Sequence, residues 1–178
     1  IVMNFCDFYY SFSSGIGKAS TVLAGHHRDQ EKSYAWRKYL WTGIRWGLIF
    51  SVVSFLLTFV FREQIFGIYS SDPMLLPLGS LILIYVAAVS FPSAHQMVCA
   101  GILRASGKTM QVAAYSCLSI TILRPIITHM FLNQFQMGLE GAWLSLALDQ
   151  SIRALCASAL LWNIYQKRYA NRLLESYD

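Results

Sequence analysis

Charge is scarce in this sequence: 13% of its 178 residues are Asp, Glu, Lys or Arg, against 56% hydrophobic and 15% aromatic. A soluble domain carries about 25% charged residues, so the composition excludes that class and points to one membrane domain. Cysteine is equally sparse. Cys6, Cys99, Cys117 and Cys156 form no CxxC pair and lie inside apolar runs, which reads them as small buried hydrophobes rather than disulfides or a zinc site. Ser-His-Asp, HExxH and paired-carboxylate arrangements are missing as well, so the chain reads as no enzyme. The run Gly15-Ile16-Gly17-Lys18-Ala19 fails as a phosphate loop, because Phe12 takes the first glycine position and Ala19 replaces Ser or Thr. Small residues in such a run permit close helix packing instead. With no nucleotide site in view, any transport is expected to run on an ion gradient and without a cofactor.

Long apolar runs are what the sequence has in abundance. Five of them cover 1–24, 40–61, 77–100, 110–132 and 141–165, each long enough as a helix to cross the roughly 30 Å of a bilayer core. The expected fold is an all-α membrane protein, a bundle of five transmembrane helices. Basic residues alternate between the connections. Arg28, Lys32, Arg37 and Lys38 lie in 25–39 and Arg104 and Lys108 in 101–109, whereas 62–76 offers only Arg62 and 133–140 offers none. Lys167, Arg168 and Arg172 add a basic tail over 166–178, and the positive-inside rule puts this tail and the two basic loops in the cytoplasm. The net charge of +5 then faces anionic lipid headgroups rather than nucleic acid. Five spans ending inside leave Ile1 outside. With neither a starting Met nor a signal peptide, the sequence reads as a fragment lacking at least one upstream helix.

Trp36, Trp41, Trp46, Tyr9, Tyr10, Tyr165 and Tyr169 lie near run ends, where aromatics suit the headgroup level. Ser70-Ser71-Asp72-Pro73 supplies a cap and a first-position proline for a helix starting at Pro73. Pro92 and Pro125 sit inside runs and are expected to kink them. Polar residues within the runs follow helical spacing: Asp7, Ser11, Ser14 and Lys18 in the first, Cys117, Thr121, Arg124 and Thr128 in the fourth, and Ala142, Ser145, Asp149, Arg153 and Cys156 in the fifth. The second run holds only Ser51, Ser54 and Thr58, which can bond their own backbone, so this helix is expected to face lipid.

Arg124 and Asp149 both lie about 12–14 Å from the outer ends of their helices. A charge near the bilayer centre costs about 2.5–3.5 kcal/mol, so Arg124, Asp149 and Arg153 are expected to face protein or water. Two readings stay open: a structural ion cluster, with Asp149 and Arg153 paired at i,i+4, or a substrate-facing or proton-coupling group in a wet cavity. Asp7 has no basic partner within one turn of its helix. A lone carboxyl in the apolar layer is expected to hold a proton part of the time, as a proton-driven transporter requires, unless a truncated first helix conceals its true depth. His95 and Gln96 follow Pro92 as ligand or backbone partners, with a satisfied core histidine as the alternative. His26, His27 and Asp29 are dense in one loop but lack the i,i+4 spacing of a helical metal pair, so no metal is expected.

Several segments resemble successive signatures of the multidrug and toxic compound extrusion (MATE) family. They are Gly15-Ile16-Gly17-Lys18-Ala19 with Val22-Leu23-Ala24-Gly25-His26, Ile65-Phe66-Gly67-Ile68-Tyr69-Ser70-Ser71-Asp72, Gly101-Ile102-Leu103-Arg104-Ala105-Ser106-Gly107-Lys108-Thr109, and Gly138-Leu139-Glu140-Gly141-Ala142-Trp143. The resemblance spans roughly 11–165, and its most telling part is the G-x-L-R-x-x-G-x-T loop. It implies one six-helix lobe lacking its first helix, the basic tail favouring the C-terminal lobe, and Trp143, Asp149 and Arg153 look most similar to the DinF-like branch. It further implies a multi-pass protein of a bacterial inner membrane that exports small amphipathic or cationic drugs in exchange for protons or sodium. The partner would be the missing N-terminal lobe of the same chain. On that reading Asp7, Arg124, Asp149, Arg153, His95 and Gln96 are the substrate or ion-coupling candidates. No acidic residue lies near His95 and Gln96, which departs from some relatives. Two other readings compete: a flippase for lipid-linked precursors, which wants a cationic cavity such as Lys18, Arg124 and Arg153 could line, and a structural membrane protein whose polar stripes pair with one another.

Overall fold

A computed structural model describes residues 2–26, 33–69 and 76–175. They form five helices: α1 (Val2–His26), α2 (Ser33–Tyr69), α3 (Leu76–Ala105), α4 (Thr109–Gln134) and α5 (Gly138–Glu175). The all-helical fold expected from the five apolar runs is the one observed. Segments of α2, α3, α4 and α5 are each long and apolar enough to cross a membrane. α1 has 25 residues, about 37 Å of helix, and falls outside that set. The helices outrun the apolar runs that announced them: residues 62–69, expected in a loop, continue α2, and α5 carries on through the basic segment as far as Glu175. The helix start expected at Pro73 lies outside the described residues, as do His27, Arg28, Asp29 and Lys32 of the first basic loop.

α3 is the central helix. It packs against α1, α2 and α5, whereas α1 and α5 do not approach each other among the described residues. Lipid tails are as apolar as Leu, so helix association in a membrane depends on close packing, and small residues provide it. A Cβ on Gly17 would come within 2.8 Å of the Met97 carbonyl oxygen, and one on Gly101 would collide with the Gly17 carbonyl. Gly43 of α2 likewise sits against Ser20 and Val98, and Gly47 against Ala94. The glycine run that fails as a phosphate loop is thus a helix crossing. Around it Ala24, Val98, Ala100, Ile102, Leu103, Val112, Ala157 and Leu161 form one buried cluster that ties four helices together.

α3 ends where the G-x-L-R-x-x-G-x-T segment begins to turn. Gly107 adopts φ 80°, its N–H donates to the Arg104 carbonyl at 3.0 Å, and the Lys108 N–H donates to that of Leu103 at 2.9 Å. This left-handed glycine cap satisfies carbonyls that the helix end would orphan, which explains a Gly at that place in the segment.

The outer surface of α2 carries exposed Leu48, Val52, Leu56, Leu57, Val60 and Phe61, in keeping with a lipid-facing helix. Its hydroxyls behave otherwise than expected. Ser51, Ser54 and Thr58 are buried, and two of them bond across helices: Ser51 Oγ donates to the Ser90 carbonyl of α3 at 3.1 Å, and Thr58 meets the Tyr9 hydroxyl of α1. A hydroxyl that reaches a neighbour couples two helices in a layer without competing water. Tyr9 is therefore a buried residue and not a headgroup anchor, while Trp41 and Trp46 are exposed.

The glycine crossing yields a prediction. Gly101→Ala should lower stability by about 1–3 kcal/mol through overpacking, visible as a lower Tm in detergent. Gly15→Ala, whose Cβ meets nothing within 4 Å, should leave Tm unchanged or raise it slightly, since Ala is the better helix former by about 0.5–1 kcal/mol. Equal effects at the two positions would refute the crossing.

Candidate functional site

The sequence-predicted residues fall into three places. The first is a cavity of about 370 Å³ in the gap that α3 leaves between α1 and α5. Its lining includes Asp7, Tyr9 and Tyr10 from α1, Val86, Val89, Ser90 and Ser93 from α3, and Leu139, Ala142, Trp143, Leu146 and Gln150 from α5. The walls are mainly apolar and aromatic, with Asp7 the sole charged lining residue among the described residues. Asp7 is exposed and Gln150 is buried, with its Oε1 lacking a partner among the described residues. The polar stripe of Ser11, Ser14 and Lys18 lies away from the buried face of α1, which is made of Tyr9, Ser13, Gly17, Ser20 and Ala24.

A second cavity of about 240 Å³ lies between α2, α3 and α5. His95 and Cys99, one turn apart on α3, line it with Ser158, Trp41, Trp162 and Tyr165. The His95 Nε2 is 2.8 Å from Ser158 Oγ and 3.6 Å from Cys99 Sγ, so His95 has its hydrogen bonds within the bundle. Gln96 is buried and lines neither cavity. Cys99 is buried as expected, but Cys117 and Cys156 are exposed on the outer surface of α4 and α5, where an apolar surround suits a thiol equally. The side chain of Cys6 lies outside the described residues.

The third place is the α4–α5 seam, where the charges expected to meet do so. Asp149 is fully buried; its Oδ2 is 2.8 Å from Arg153 Nη2 and 3.2 Å from Arg124 Nη2. Its Oδ1 accepts from Ser119, and one turn away Thr128 meets Ser145 at 2.7 Å. Ser119 is the member that sequence spacing missed. An α-helical period puts Cys117 and Thr121 on the Arg124 face, yet both are exposed and Ser119 is buried instead. The cause is a π-turn over Ser119–Leu123, in which the Arg124 N–H donates to the Ser119 carbonyl five residues back. Pro125 follows at once; it has no N–H for the Thr121 carbonyl and its ring crowds that carbonyl, and the wider turn relieves both. The proline was the available signal. A second π-turn, Met130–Gln134, closes the short α-helical piece Arg124–His129 on its other side.

The three charges differ in burial, and this orders their mutational effects. Only 9% of the Arg153 side chain is exposed, against 32% for Arg124. Asp149→Ala should destabilise most, by about 3–5 kcal/mol, because it strands two guanidinium groups. Arg124→Ala should cost less, since Asp149 keeps Arg153. The double change Asp149→Ala with Arg153→Met should recover much of the loss from Asp149→Ala alone, as measured by Tm and folded yield in detergent. Additive losses in that cycle would show that the charges are not coupled.

Against this geometry stand the similarities to known proteins. The MatE family pattern matches residues 1–130. A probable multidrug resistance protein NorM of Thermotoga maritima is 26% identical over 140 residues, covering 79% of this chain and 30% of the relative. Another, from Xanthomonas campestris pv. campestris, is 26% identical over 173 residues, covering 97% and 37%. Multidrug resistance protein PmpM of Pseudomonas aeruginosa is 26% identical over 184 aligned residues, covering 100% and 37%. The chain thus spans about a third of the length of these relatives. Four long apolar helices and a family match over most of its length make this chain a multi-pass membrane protein that belongs to the MATE family.

Proposed function

We propose that this chain forms one lobe of an ion-coupled multidrug efflux transporter and that the Asp7 cavity receives amphipathic cations. The observation that carries the reading is a single carboxylate on a largely apolar, aromatic-walled cavity of about 370 Å³, within the usual size of a small-molecule site. Tyr10 and Trp143 offer π faces and Asp7 a countercharge, the pairing that an organic cation with an apolar body requires. The names of the relatives, which describe multidrug resistance, support the same substrate class. The basic end of α5, with Lys167, Arg168 and Arg172, and the basic loop around Arg104 and Lys108 suit a lobe with these segments in the cytoplasm. The Trp143, Asp149 and Arg153 pattern favours the DinF-like branch.

Competition at Asp7 supplies the coupling. A carboxylate countered by a proton has no charge left for a drug cation, so proton entry from one side expels drug, and drug binding expels the proton. The ion cluster of Asp149 lines neither cavity, and in this scheme it holds α4 against α5. The test is binding of ethidium to the purified chain in detergent, followed by its fluorescence. Affinity should fall as pH is lowered. Asp7→Asn should weaken binding about tenfold or more and abolish the pH dependence. In the full-length parent it should stop efflux driven by a pH gradient. Binding that ignores pH and responds to sodium at constant ionic strength would replace the proton with sodium as the competitor, and an unchanged affinity in Asp7→Asn would remove Asp7 from the site.

A further inference from the structure

The α4–α5 cluster has two arginines and one carboxylate, which leaves one positive charge in excess. The capacity of Asp149 is taken up by Ser119 at Oδ1 and by both guanidinium groups at Oδ2. Each arginine reaches it through one Nη2 alone, so neither makes the two-pronged contact that a guanidinium edge favours. The Nε atoms of Arg124 and Arg153 are buried and have no hydrogen-bond partner among the described residues. The nearest other acid on these two helices is Glu140, nine residues before Asp149 on α5 and therefore about 13 Å away along the axis. A guanidinium held out of water with an unused edge is costly, and among the described residues there is no second countercharge at the seam. It does offer access. About a third of the Arg124 side chain is exposed, and Ile120, Ile122 and Ile126 beside it on α4 present exposed apolar surface.

We propose that this seam binds a single-chain amphipathic carboxylate. Its two oxygens accept from Arg124, about a third of whose side chain is exposed, its charge offsets the excess of the cluster, and its alkyl body lies along the exposed apolar surface of α4. One negative charge matches the excess, and a planar pair of oxygens matches a planar donor edge. The site is separate from the Asp7 cavity, and the proposal does not depend on the efflux reading.

The test is thermal unfolding of the full 178-residue chain in a nonionic detergent, followed by tryptophan fluorescence and titrated with sodium laurate below its micelle concentration. Wild type should show a saturable rise in Tm. The half-saturating concentration should increase about tenfold or more in Arg124→Gln, which loses a charge-assisted hydrogen bond. Arg124→Lys keeps the charge that pairs with Asp149 but not the planar edge, and should fall between the two. Lys18→Gln, on the far helix α1, should titrate as wild type does. Equal half-saturation in wild type, Arg124→Gln and Arg124→Lys would overturn the proposal. An equal shift from sodium chloride would reduce the site to one for small ions, and one from dodecyltrimethylammonium would reduce it to a detergent effect; either result overturns the proposal. An Arg124-dependent shift from phosphatidylglycerol as large as that from laurate would make the ligand a lipid phosphate and overturn the carboxylate assignment.

Discussion

Close approach of α3 to its neighbours is the constraint on which the rest of the bundle depends. In water, burial of Leu and Ile would hold such helices together, but between helices in lipid that force is absent and contact distance decides. α3 is accordingly lined with Ala87, Ser90, Ser93, Ala94, Ala100 and Gly101, all buried or nearly so, and Gly17, Gly43 and Gly47 face it from α1 and α2. Because three helices converge on one, α1 and α5 are kept on either side of α3 without meeting. The gap between them is the Asp7 cavity. A bulkier α3 would loosen the crossings and so alter the site without touching any of its polar groups.

Hydrophobic run length made the helices legible in the sequence, because a spanning segment must satisfy every backbone group internally and only a long helix does so here. The pairing of Arg124 with Asp149 was legible for a similar reason: unpaired charges in that layer are too costly to scatter. What escaped was set by geometry that no period reveals. The π-turn before Pro125 shifts the register by one residue, which brings Ser119 to Asp149 and turns Thr121 away. Tyr9 looked like an interfacial aromatic from its place in the run, but its hydroxyl found Thr58 on a helix 49 residues on. Asp7 stood out as a lone acid and Trp143 as part of a family signature, whereas Gln150, their companion in the cavity, follows from the arrangement of three helices and carries no local signal.

The two polar places sit on different faces of one helix. Gln150 lines the Asp7 cavity, while its immediate neighbour Asp149 faces α4 and holds the arginines. Successive residues on a helix point about 100° apart, so α5 is a partition between an acidic cavity and a cationic seam. Any rotation of α5 that changes the packing of Trp143 and Gln150 against the cavity must also move Asp149 relative to Ser119 and Arg124. The partner segment is suited to follow, since Arg124–His129 is a short α-helical piece bounded on both sides by π-turns, whose wider hydrogen-bonding pattern marks places where a helix changes register. On the proposed function, occupancy of the cavity and the state of the ion cluster would therefore be linked through a single element, a coupling that needs no contact between the two places, only two arrangements of α5 that a cavity ligand prefers unequally.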